Sequence, residues 1–182
     1  MSASREDEEF LKLGVQYYVA ARYAALAGAG LLPVCGNLYH HALEMFLKSG
    51  LSRKHSLQDP KSKKFGHKLI DIWDAFKADF PSTELPQFDT TIADIHDFEE
   101  IRYPNEVLKN GAQMVVDWGS IPAQSSASEP MYKLHVNDLD RLIWEIFCAS
   151  SRNPKYFTAG VKPEVRAMLA RENPVAAQLL GN

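Results

Sequence analysis

Apolar residues in the first part of the chain recur at helical spacing and cover nearly the whole circumference of the run from Glu6 to Ala27. Only Glu9, Lys12, Gln16 and Arg22 interrupt them, which predicts a helix buried on several sides. The stretch GAG, residues 28–30, breaks the pattern, and Pro33 suits the first turn of a second helix. From Pro33 to Ser49, apolar side chains from Val34 to Leu47 fill a broad arc of roughly 220°, taking about 100° per residue. Asn37, His40, His41, Glu44 and Lys48 share the remaining arc, and Gly50 is expected to end the helix. The histidines therefore read as polar-face or border residues.

A third helix is predicted in FGHKLIDIWDAFKADFP, where Leu69, Ile70, Ile72, Trp73, Phe76 and Phe80 form one stripe and Pro81 stops it. A fourth is predicted from Phe88 to Tyr103, with Phe88, Ile92, Ile95, Phe98 and Ile101 as its apolar set and Pro104 as its end. Between Gly111 and Val136 the pattern changes. AQMVVDWG and PMYKLHV have the branched and aromatic content of short strands, which predicts a small irregular or hairpin insertion. Asn137 or Asp138 can cap a fifth helix, Leu139 to Ala149, that buries Leu142, Ile143, Ile146 and Phe147. Residues 151–182 read as a C-terminal arm with one short helix after Pro163. The expectation is an all-α fold: an antiparallel up-and-down four- or five-helix bundle over residues 1–150, followed by that arm. The apolar arcs of the first two helices exceed what one small interior requires, so self-association is expected.

Composition adds little to this. The 182 residues, 46% hydrophobic and 24% charged, are those of an ordinary globular chain. Cys35 and Cys148 form no C-x-x-C pair, and a cytoplasmic setting is the default expectation. Residues 23–43 carry Arg or Lys, Asp or Glu nowhere, yet Gly28, Gly30, Pro33, Gly36, Asn37 and two histidines argue against a membrane span. Charge changes the picture more. From Lys48 to Lys68 seven basic residues face one acid, so this segment is +6 and the remainder −9 against a net −3. The segment is either a solvated loop or an anion-binding patch containing Lys61, Lys63, Lys64 and Lys68.

Several chemistries lack their motifs. There is no phosphate loop of the form G-x-x-x-x-G-K-[ST], no G-x-S-x-G elbow, no H-E-x-x-H and no G-x-G-x-x-G. No cofactor is implied. Di-metal helical sites use Glu-x-x-His, and none of the six histidines has an acid three residues before it. The reversed spacing occurs as His41-x-x-Glu44 and His96-x-x-Glu99, outside or at the margin of the apolar stripes. These are read as structural polar positions, with no metal assigned. On the wheel of the fourth helix Arg102 falls between Ile95 and Glu99, which directs its charge toward the packed side. A buried guanidinium needs a partner: Glu99, Glu106, a snorkelling exit to water, or a bound anion.

Three stretches, NLYHHALEMFLKSGL, KKFGHKLIDIWDAF and FEEIRYPNE, resemble the HEPN domain family in their order and spacing, over roughly residues 8–150. The resemblance implies a helical bundle, commonly a homodimer, associated with nucleotide or RNA binding, RNA cleavage or toxin–antitoxin systems. The implied partners are a second copy of the chain, a nucleotide or RNA, and an antitoxin or nucleotidyltransferase protein. Ribonucleases of the family place a histidine four to six residues beyond a phosphate-orienting arginine. Arg102 matches the arginine, but Val107, Leu108 and Lys109 stand where the histidine belongs. That departure argues against the usual catalysis. The expected function is a non-catalytic, arginine-centred binding site with Arg102, His41 and the basic loop. The alternatives are a metal-independent endoribonuclease using Arg102 with His67 or His96, and an interaction module without ligand.

Overall fold

The computed structural model describes residues 3–28, 31–55, 66, 68–118, 130–153, 158, 160–170 and 173–180. The fold is mostly helical, with one two-stranded sheet. Helices α1 (Ala3–Ala27) and α2 (Leu32–Leu51) form its largest contact. They meet through matched pairs: Ser49 Oγ donates to the Asp7 carbonyl at 2.8 Å, and the Tyr18 and Tyr39 rings meet edge to face at 6.2 Å. Near the other end, Cys35 Sγ donates to the Ala21 carbonyl. Gly50 does not end α2, because the helix continues to Leu51 with Gly50 pressed against Phe76. A Cβ at Gly50 would stand 2.6 Å from that ring.

Helix α3 (Leu69–Asp79) buries Leu69, Ile72, Trp73 and Phe76 of the predicted stripe, whereas Ile70, also assigned to it, is exposed. The predicted fourth helix is broken. A 3-10 turn at Pro86–Phe88 leads into α4 (Asp89–Asp97), a second 3-10 turn covers Glu100–Arg102, and α5 (Pro104–Asn110) follows as a separate helix. Tyr103 is extended at φ −116° and ψ 143°, as expected of a residue before proline. Strands β1 (Gln113–Asp117) and β2 (Met131–His135) run parallel, so the insertion is not a hairpin. A parallel pair needs a connection of about a dozen residues, and residues 118–130 provide one.

Helix α6 (Val136–Ala149) starts earlier than predicted and carries Asn137 and Asp138 inside its first turn. The C-terminal segment holds two short helices, α7 (Pro163–Leu169) and α8 (Pro174–Leu180), rather than one. Leu169, Leu179 and Leu180 are fully buried, so this segment closes the core.

A charged network holds it there. Arg22 and Asp140, both fully buried, form an ion pair between α1 and α6. Tyr18 Oη donates to Asp140 at 2.6 Å and Asn173 Nδ2 donates to it at 2.5 Å. The Arg22 Nε donates at 2.8 Å to the Leu169 carbonyl, the last residue of α7. A second tie, Arg152 to the Asp7 carboxylate and to Ser49, fastens the segment after α6 to α1 and α2. These bonds pair charged groups whose isolated burial would be costly.

Candidate functional site

Asn37, His40, His41, Glu44 and Met45 lie at positions i, i+3, i+4, i+7 and i+8 of α2 and so share one face. The turn after α4 is laid over that face. Phe98 packs directly on Gly36, where any Cβ would overlap its ring, and on its other side it meets Tyr132 of β2 at 5.8 Å. Gly36 thus lets the 98–102 backbone approach α2 closely. The result is a cavity of about 480 Å³ lined by Asn37, His40, His41, Glu44, Met45, Glu99 and Arg102.

Its chemistry is mixed. Glu44 is buried and accepts a 2.6 Å bond from the equally buried Lys48 ammonium one turn on. Its second oxygen stands 3.7 Å from His41 Nδ1. His41 is half-buried, with its ring 5.3 Å from that of Tyr17. His40 is buried, 4% exposed, and its ring stacks on that of His96 at 6.1 Å. Its polar-face placement in the sequence reading is corrected here, because the turn bearing Glu99 covers this border of α2. Burial pushes the His40 pKa down to about 4, against the upward pull of Glu44 and Glu99. The ring is therefore neutral at pH 7.

Glu99 stands between the two imidazoles. Its Oε2 lies 3.9 Å from His40 Nε2 and 3.8 Å from His96 Nδ1, too far for hydrogen bonds. Both nitrogens are buried without a hydrogen-bond partner among the described residues. His96 lines an adjoining smaller cavity together with Asp97, Glu99 and Glu100.

Arg102 is exposed, not turned into the packed side. The prediction failed because the α-helix ends at Asp97, and the tighter turn that follows does not continue its 100° spacing. The guanidinium stands on the cavity rim, 5.8 Å from the centre of the Tyr103 ring. Of the residues singled out in the sequence, Arg102, His41 and His96 are brought to one region. Lys68 is exposed just before α3 and lies off the cavity. His67, Lys61, Lys63 and Lys64 lie outside the described residues. Val107, Leu108 and Lys109, where the family histidine would stand, sit on α5, with Leu108 largely exposed.

Sequence reasoning missed Asn37, Met45, Glu44 and Glu99 as wall residues. The only signal was the pair of His-x-x-Glu spacings, whose convergence depends on the close approach at Gly36. Among the described residues, no helix is long and apolar enough to cross a membrane. Comparison with protein-family models, with curated proteins and with solved structures finds no match.

Proposed function

We propose that this chain is a HEPN-like helical protein that binds a phosphate-bearing ligand, a nucleotide in the first instance, in the cavity between α2 and the 98–102 turn, without cleaving it by the family's usual route. The observation that carries the reading is Arg102 on the rim of a cavity whose walls include two histidines. An exposed guanidinium offers two parallel N–H donors to a phosphate, and the half-exposed His41 adds a third at shorter reach. The Glu44 charge does not oppose an anion strongly, because Lys48 neutralises it at 2.6 Å. The matched contacts of α1 with α2 support the antiparallel bundle of that family. Tyr23, Leu31 and Val34, all exposed around the junction of α1 and α2, support a second copy of the chain as partner.

Thermal-shift and calorimetric titrations with ATP, GTP, inorganic phosphate and a short RNA, all in chelator, test the proposal. Stabilisation by a nucleotide that is lost in Arg102→Ala is the expected result. No response to any of these ligands refutes it. RNA cut in chelator, and spared by Arg102→Ala, replaces it with the endoribonuclease reading.

A further inference from the structure

We propose that His40, His96 and Glu99 form a binding site for a divalent transition-metal ion of the zinc class, adjoining the cavity beneath Arg102. One donor atom from each of the three residues lies within 4.8 Å of the others. The two imidazole nitrogens that face Glu99 are both buried and have no hydrogen-bond partner among the described residues, and they are the two such atoms that stand side by side around one carboxylate. Buried polar atoms of this kind call for a partner, and the carboxylate oxygen 3.9 and 3.8 Å away is too distant to be one. A cation placed among the three satisfies all of them at once.

The spacing fits a small ion. Tetrahedral zinc, with bonds of about 2.0–2.1 Å, holds its donors about 3.3 Å apart. A turn of the partly exposed Glu99 side chain closes its 3.8 and 3.9 Å gaps by about half an ångström, and rotation of the partly exposed His96 ring brings its donor nitrogen, within 4.8 Å of that of His40, to the same spacing. Two imidazoles and one carboxylate, with no thiolate, suit zinc, cobalt or nickel better than calcium or magnesium. Three protein ligands leave a fourth position for water or for an atom of a bound ligand. The overlapping set His40, His41 and Glu44 is the weaker candidate, because Glu44 already accepts the Lys48 ammonium.

This site does not rest on the phosphate reading, and each can fail alone. The test uses tag-free protein stripped with chelator and dialysed, then titrated with Co²⁺ by visible absorption and with Zn²⁺ by calorimetry. The expected result is saturable one-to-one binding, with the intense visible bands of tetrahedral cobalt. Affinity falls at least tenfold in His96→Gln and in Glu99→Gln. His96 and Glu99 are chosen because both are partly exposed, whereas replacing the buried His40 endangers the fold. Absence of saturable binding overturns the proposal, as does binding that survives both substitutions or that depends on His41 instead.

Discussion

Replacing Asp140 with alanine removes the carboxylate that, among the described residues, meets the buried Arg22 guanidinium, and the size of the loss follows from the contacts. Asp140 accepts from Arg22, from Tyr18 at 2.6 Å and from Asn173 at 2.5 Å, and it is fully buried. Breaking a buried pair by deleting one partner costs about 3–5 kcal/mol, because the remaining charge has lost both water and its counter-ion. Arg22 keeps its bonds to the Leu169 carbonyl, which moderates the cost, while Tyr18 and Asn173 each lose an acceptor worth about 1 kcal/mol. We expect a loss of about 4 kcal/mol, a large part of the 5–15 kcal/mol typical of a domain. Arg22→Met alone should cost a similar amount. The double variant Arg22→Met/Asp140→Leu should cost less than either single change, because no unpaired charge remains. Urea unfolding followed by circular dichroism and tryptophan fluorescence measures all three. If Asp140→Ala is too unstable to isolate, recovery of folded protein in the double variant carries the test. A single-variant loss below about 1 kcal/mol, or costs that simply add, would refute the reasoning.

Two further outcomes follow from the packing. Gly36→Ala gains about 1 kcal/mol of helix propensity but drives a methyl into the Phe98 ring, an overpacking cost at the upper end of about 1–3 kcal/mol, so a net loss of about 1–2 kcal/mol is expected in urea unfolding. The same variant should lose any nucleotide-dependent thermal shift, because Phe98 seats the turn that carries Glu99 and Arg102. Burial pushes the Cys35 thiol up to about 12, whereas Cys148 is exposed, so a thiol reagent at pH 8 should modify one cysteine in the folded protein and two in denaturant. Rapid modification of both without denaturant would contradict the burial of Cys35.

The helices that bury one continuous stripe were legible, because their partners do not alter a spacing written into each segment. Leu69, Ile72, Trp73 and Phe76 of α3 are the clearest case, although Ile70, read into the same stripe, is exposed. Long-range pairing was not legible. Arg22 reads as an interruption of an apolar surface, and only Asp140, 118 residues further on, turns it into a core residue. The wheel that carried Arg102 inward failed for a local reason, the change of helix type after Asp97. His40 and His41 are adjacent in sequence, yet one is buried and the other half-exposed. That difference is made by Phe98 settling on Gly36, a contact between two segments that neither shows alone. The strands were legible as strands, but alternation of side chains does not encode the direction in which two of them pair.

The acceptor that Arg22 finds at residue 169 is a main-chain oxygen, so no exchange of side chain at that position can delete it. Evolution is left at liberty to vary which apolar residue stands there, while the spacing of the tail stays under strict control. Inserting or deleting a single residue between Pro163 and Leu169 would carry that oxygen out of reach, and should prove more damaging than most substitutions in the same stretch.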